Sequence, residues 1–553
     1  MLDKAEKIYI LVFMFIRIKT SKNSPKKSVQ IVESYRNEKN QPRQRIVRHM
    51  GTALTDKELE RIIDFAEYEK AELEAQKTPS LFKPEQLAEM AIEARKNINN
   101  KPLNVNLKNL AEEARITSGI HEVFGSVYEQ LGFNKLFGAR KEACARNLRH
   151  ITMARIANPD SKRGSVRDLS KDFGIDISLD SVYRMMDGID DSIIEKAQKL
   201  AYNSAKGLLG DDISILFYDC TTLYFESFTE DELKKNGYSK DMKFNQPQVV
   251  LGLLATSEGL TVGYEVFPGN QYEGHTLKTI IPAIKAKYNL KRVIFTADSA
   301  MLSKENLDYL ETQQLEYIVA ARLKSLCDTW QKRITESKDS IRGFDYGNNR
   351  RLIITYSDKL ARKNKHDRDE AIEKLRAKLE KSNNPASLVS NYGYKRFMKV
   401  IGDVAVGINE EKYEQSARFD GLHGVITNVK DLSNSEVVEH YKRLWQIEEC
   451  FRISKHDLKI RPIYHWTPKR IKAHILICFI ALTCVRNLAY RVKLRFEAMS
   501  VARMANALNH IQLSILRDKS DQSQYVLPSK FSEDARKLYK TLNITANTTP
   551  YKL

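Results

Sequence analysis

The chain is predicted to be an α/β protein: a mixed-sheet core preceded by a helical domain and a small β-meander. Two observations predict this. Short β-type runs appear after residue 210, at ISILFYD, QVVLGLLAT, LTVGYEVFP, RVIFTAD and EYIVAAR. Helical periodicity fills the gaps between the last three runs, at HTLKTIIPAIKAKY and SKENLDYLETQ. Three strands, a helix, a strand, a helix and a strand make a sheet that begins as a meander, which is the order of an RNase H-like core.

At 553 residues the chain exceeds what one hydrophobic core organises, so several domains are expected. Residues 1–54 alternate apolar and polar (FIRIKT, SVQIVESY, QRIVRH) and read as the β-meander. That segment carries Lys19, Lys22, Lys26, Lys27, Arg43, Arg45 and Arg48, a basic face open to phosphate or simply to solvent. Residues 55–208 are charged and helical. Within them VRDLSKDFGIDISLDSVYRMMDGI reads as a helix-turn-helix, with Asp180 and Ser181 placed to cap its second helix. Residues 209–321 hold the first part of the sheet and 322–432 a β-rich insertion around the helix DRDEAIEKLRAKLEKS. Residues 433–496 complete the core with the continuous helix SEVVEHYKRLWQIEECFRISKHDL, and 497–553 form a helical tail.

Ninety Lys and Arg against 71 Asp and Glu leave a net charge of +19, which favours a polyanionic partner. The six cysteines form no CxxC pair and no zinc spacing, so reduced thiols and a cytoplasmic location are expected. No membrane partner is expected. IYILVFMFI lacks a cleavage site, and HILICFIALTCV falls short of the ~18 apolar residues of a span, so it reads as a buried core helix.

Two acids share one grammar. Asp219 closes the run ISILFY and Asp298 closes RVIFTA, each where a strand is expected to end. Open α/β sheets collect ligands at strand carboxyl ends, although a strand-end Asp is also an ordinary turn former. A third acid lies in YKRLWQIEECFRISK. Tyr441, Glu448 and Lys455 recur at sevens, which on a regular helix returns a side chain to within ~20° of its start, and Arg452 leans the same way. Trp445, Ile447, Phe451 and Leu458 supply the apolar side that docks this helix on a core, leaving Glu448 at its edge. The bland alternative is a heptad seam with ion pairs.

Two Asp and one Glu on three elements suit hard, oxygen-preferring cations, Mg²⁺ or Mn²⁺. Two such ions side by side serve phosphodiester chemistry, activating one oxygen and stabilising the other. A sugar hydrolase built on paired carboxylates accounts for neither the basic excess nor the cations beside Glu448.

The strings YDCTTLYFES, GYSKD, QPQVVLGLL, GYEVFPGNQYEGHTL, ADSAMLS and YKRLWQIEECFRISKHDLKIRPIYH closely resemble bacterial insertion-sequence transposases with a DDE triad. The likeness is to the insertion sequence family four superfamily, in the branch whose first motif reads YDxTTLYFE. NSPKKSVQIVESYR and QRIVRHMG extend it to most of the chain. The resemblance implies an RNase H-like catalytic domain with a mostly β insertion before the last acid. It implies Mg²⁺-dependent strand cleavage at element ends, with two ions for which Mn²⁺ substitutes, and transfer of the 3′-OH to target DNA. Motif by motif, Asp219, Asp298 and Glu448 are the implied catalytic and metal-binding acids. Tyr441 and Lys455 match the Tyr and Lys of the family signature, while its Arg position holds Leu444. Arg452 is then the cation implied to replace it at phosphate. Ser299 stands where relatives carry Arg. The implied partners are double-stranded DNA, as terminal inverted repeats and target, and a second copy in a synaptic homodimer at the bacterial nucleoid. Leu444 and Ser299 frame an alternative: a degenerate copy that binds element ends without chemistry. The insertion offers Trp330 and Phe419, without a clear match, as the aromatic that a hairpin route would use.

Overall fold

The computed structural model describes residues 13–21, 24–36, 41–77, 83–99, 105–210, 213, 215–226, 228–238, 245–288, 294–297, 303–336, 339–381, 397–401 and 404–553. Residues 1–110 form one compact unit, and nearly all of the remainder forms another.

In the first unit β1 (Phe13–Ser21), β2 (Ser24–Arg36) and β3 (Pro42–Ala53) make the expected antiparallel meander. Alternation turns Met14, Val29 and Ile31 to one face, where α1 (Asp56–Lys77) covers them through Ala66. α2 (Pro84–Asn99) packs on α1. Two members of the basic face are neutralised locally, Arg45 by Glu33 and Arg48 by Glu69. Lys22 lies outside the described residues.

The second unit opens with β4 (Leu110–Thr117) and the helices α3 (Gly119–Gln130), α4 (Glu142–Ala157), α5 (Lys162–Phe173), α6 (Leu179–Asp187) and α7 (Asp191–Leu209). α5 and α6 are the expected pair of short helices. The cap is not Asp180 or Ser181 but Ser178, whose hydroxyl accepts from the Ser181 N–H. ISLDS offers two hydroxyls three residues apart, and the one before the apolar stripe Val182, Met185, Met186 takes the cap. α6 buries that stripe, exposes Asp180 and Arg184, and commits Asp187 to Arg470 through two 2.7 Å bonds.

The core follows. β5 (Ile215–Tyr224), β6 (Gln248–Thr256) and β7 (Thr261–Pro268) form an antiparallel meander. After α8 (Glu273–Tyr288), β8 (Ile294–Ala297) pairs parallel to β5; after α9 (Lys304–Thr312), β9 (Glu316–Ala320) pairs parallel to β8. The spatial order β7-β6-β5-β8-β9 is that of an RNase H-like sheet. The insertion contributes α10 (Asp328–Thr335), β10 (Ile341–Asp345), β11 (Arg351–Tyr356), α11 (Asp358–Lys381), the hairpin of β12 (Met398–Ile401) and β13 (Val404–Ile408), α12 (Glu410–Ala417) and β14 (Leu422–Thr427). Three of its strands do not stand apart. They extend the main sheet to eight strands in the order β10-β11-β14-β9, because Leu352, Ile353, Ile354, Val425 and Ile426 are apolar on both faces and are buried there.

Helices α13 (Asn434–Lys442), α14 (Trp445–Arg452) and α15 (Pro468–Arg495) complete this layer. α15 runs well past its apolar run and is long and apolar enough to cross a membrane by length and composition. Most of that stretch is buried inside the protein, as a core helix should be. The tail is not wholly helical. Between α16 (Val501–Asn509) and α17 (Glu533–Thr541), QLSILRD and QYVLP form the hairpin β15 (Gln512–Asp518) and β16 (Gln524–Pro528), which joins β4 and β17 (Tyr551–Lys552) in a four-stranded sheet.

Candidate active site

β5 is buried along nearly its whole length, and its two faces belong to two cores. Leu216, Tyr218 and Cys220 face one layer with Leu277 and Ile280 of α8. Ile215, Phe217 and Leu223 face the other with Ile447, Cys450 and Phe451 of α14. Tyr218 anchors the first face: its hydroxyl donates to Thr276 Oγ1 at 2.7 Å and accepts from Cys220 Sγ at 3.1 Å. Asp219, by alternation, belongs to the α14 face.

Asp219 is not at a strand end. β5 runs on for five residues to Tyr224, held by β6 through the pair Tyr224↔Gln248. On its other side β5 pairs parallel with β8, and the described pairs run from Ile215↔Ile294 to Phe217↔Thr296, two residues before Asp219. Asp219 is half-buried, between fully buried Tyr218 and Cys220. Its Oδ1 accepts from the Cys220 N–H at 2.7 Å. Asp298 lies outside the described residues, as does Ser299.

The Glu448 segment departs from one regular helix. It tightens at the α13–α14 junction, where Leu444 N–H bonds Tyr441 O, Gln446 N–H bonds Arg443 O and Ile447 N–H bonds Leu444 O, all i to i+3. It then loosens into a π-helical turn, Ile453–Asp457. Tyr441 and Lys455 therefore do not share one straight heptad line with Glu448. α14 packs against β5 and β6 through Ile447, Cys450 and Phe451. Each such side chain contributes ~1.5–3 kcal/mol when buried, ample to fix the helix there. Trp445, expected in that packed set, is 54% exposed at the junction. Glu448 is exposed, one residue on from buried Ile447 and on the helix that covers the Asp219 face.

The surrounding cations are engaged. Arg452 forks onto Glu449 with two 2.7 Å bonds and reaches Asp457 at 3.3 Å, which pulls the Glu449 carboxyl below its usual range. Arg443 pairs with Glu258 and Glu439, so it does not substitute for the missing Arg. Leu444 is buried. The Tyr441 ring lies 5.0 Å from that of His423. In the insertion, Trp330 packs against Phe344 and Tyr346, and Phe419 is buried.

The donors at this face are carboxylate oxygens, which suits a hard divalent ion. Thr296 Oγ1, fully buried on the face of β8 that continues that of Phe217, has no hydrogen-bond partner. Among the described residues no three His, Cys, Asp or Glu cluster as a metal cage. The described carboxylates alone are therefore an incomplete ligand set.

An RNase H-like sheet with an acid inside its first strand and another on the covering helix defines a class of enzymes acting on nucleic-acid phosphodiesters. Residues 210–484 match the transposase DDE domain, and residues 16–78 match the N-terminal domain of IS1634 family transposases. The chain belongs to the insertion-sequence transposases of the DDE class, a family that uses divalent metal ions. No curated protein matches its sequence. Among solved structures it is similar to a piggyBac transposase synaptic complex with hairpin DNA, at 10% identity over 71% of this chain and 76% of that one, with a TM-score of 0.38. It is also similar to a Mos1 transposase paired-end complex with left transposon end, at 13% identity over 44% and 70%, with a TM-score of 0.15. These overlaps are too low to carry a residue-by-residue correspondence.

Proposed function

We propose that the protein cleaves DNA strands at the ends of its insertion sequence and transfers the 3′-OH into target DNA, with Asp219, Asp298 and Glu448 holding two Mg²⁺ ions. The observation that carries this reading is the placement of Asp219 on the face of β5 that the Glu448 helix covers. Asp298 enters this reading from the sequence, as the acid that closes the run RVIFTA. Bound divalent ions would supply activation of the attacking oxygen and charge neutralisation at the leaving one. Lys455 and Tyr441 hold end phosphates, and Arg452 joins them by exchanging Glu449 for phosphate. Two copies act together in the synaptic complex, one for each end.

Asp219→Asn and Glu448→Gln test the assignment. Each is expected to lower Mg²⁺-dependent end cleavage by more than the ~10–100-fold that loss of an outer-shell partner costs, while end binding persists. Retained cleavage in either variant removes that residue from the site. A second reading, an end-binding copy without chemistry, is favoured by buried Leu444 at the signature's Arg position. Wild-type protein that shifts element-end DNA but never nicks it in Mg²⁺ would select that reading.

A further inference from the structure

A second basic site lies away from the acids, where α5, the segment after the π turn and α15 meet. A cavity of about 300 Å³ is lined by Arg155, Lys162, Lys459, Arg461, Tyr464 and His474, among others. Lys162 is 3% exposed and Arg155 also 3%. Among the described residues neither has a carboxylate partner. Lys162 Nζ makes one hydrogen bond, 3.2 Å to His474 Nδ1. The His474 ring is set for it, because Nε2 lies 2.9 Å from Ile460 O and donates there, leaving Nδ1 as acceptor. Arg155 reaches only backbone carbonyls, those of Leu458, Lys459 and Asp160, and its Nε is buried without a partner. The one acid on the lining, Asp160, is occupied by the Ser161 N–H and Arg167.

Two buried cations without an anion are costly for a fold that gains nothing from them. Burial and the Arg155 charge pull Lys162 down to about 7, and burial, with the same cations adding to it, keeps His465 neutral, at about 3. The α5 N-terminus adds its partial positive charge, since the first residue of this 12-residue helix is Lys162 itself. We propose that this cavity binds a phosphate group, and that the group is a backbone phosphate of the element-end DNA strand. The source rests on the transposase reading above; the anion site itself does not.

The position agrees with DNA as the source. Arg461 lies over the Tyr224 ring at 5.3 Å, and Ile463 bridges Phe225, so the cavity adjoins the far end of β5. Asp219 is five residues back along that strand, ~17 Å at ~3.3 Å per residue. A bound DNA strand covers that distance within a few nucleotides, so the bound phosphate lies a few nucleotides from the scissile one. Tyr464, 61% exposed at the rim, offers a stacking surface for the adjoining base or sugar.

The test uses the full-length protein, a duplex copied from the DNA flanking the gene, and inorganic phosphate. The variants are Lys162→Met, which keeps the volume and removes the buried charge, and Arg461→Gln on the partly exposed side. Each is expected to reduce the slope of log K against log [KCl] by ~0.9, the signature of one lost phosphate contact. A single methylphosphonate, walked through the few nucleotides beside the cleavage site, should weaken the wild type at one position and leave a variant carrying both Lys162→Met and Arg461→Gln unaffected there. Inorganic phosphate should raise the wild-type Tm but not that of Lys162→Met. Lys162→Met should itself melt no lower than wild type, because a buried unpaired cation has gone. A lower Tm with wild-type salt slope would make Lys162 structural and overturn the proposal. Phosphate stabilisation with unchanged slopes would assign the cavity to a free anion and overturn its role on DNA. If wild type fails to prefer the flanking duplex over random DNA, the transposase reading fails, and the inorganic-phosphate measurement still decides the anion site.

Discussion

Gly252 illustrates how little room surrounds the first acid. It sits opposite Cys220 on β6, and a Cβ built there would stand 2.5 Å from the Tyr218 hydroxyl oxygen and 2.9 Å from the ring. Gly252→Ala must push Tyr218 off Thr276, on the strand that carries Asp219. The expected cost is ~1–3 kcal/mol of stability, the usual penalty for overpacking a filled core, read as a lower midpoint in urea unfolding. An unchanged midpoint would mean that Tyr218 moves freely and does not brace β5. Asp219 stood out in the sequence because it follows an apolar run, and Glu448 because of its spacing from Tyr441 and Lys455. Lys162 did not, since nothing in KRGSVRDLS distinguishes a buried cation from a solvated one. Only the placement of α5 against α15 reveals it.

Elements were legible where hydrophobic period and length agreed, as in the β5-β6-β7 meander and α15. The Glu448 segment shows the opposite case. Its residues favour helix throughout, so a single helix was expected. Yet seating Leu444 and Ile447 in the core demands a tightened turn, and burying Ile453 and Ser454 together demands a loosened one. Winding errors of that kind leave no compositional trace. The start of α13 is secured separately by a capping box, with Ser433 and Glu436 each bonding the other's backbone N–H. Ser433→Ala is expected to cost ~1 kcal/mol and to lower end cleavage more than end binding, because α13 sets the entry angle of α14. Urea melts and cleavage rates on the same preparation check both parts. Equal losses of binding and cleavage would place the effect elsewhere.

At the scale of the whole molecule, buried histidines set the acid limit. Burial pushes His121 down to about 3, His150 to about 4 and His465 to about 3, from an ordinary value of 6.5, with nearby cations adding to the effect. All three are neutral in the folded protein at pH 6, whereas the unfolded chain binds the protons. Their contribution is therefore complete above about pH 6.5 and is lost as pH falls from there toward 4. Each adds a slope of at most ~1.4 kcal/mol per pH unit. Tm measured between about pH 7.5 and 5, above the range where most carboxylates titrate, should fall steeply below 6.5. A flat profile would mean that these rings are protonated in the fold.

The sheet face bearing Asp219 is roofed by a helix translated only after the entire insertion. A ribosome that stops anywhere inside the insertion releases a polypeptide whose Ile215, Phe217 and Leu223 have no lid. Such a fragment would be sticky debris for proteases rather than a dominant inhibitor. A nonsense lesion there should thus silence the element outright and leave intact copies elsewhere in the cell undisturbed.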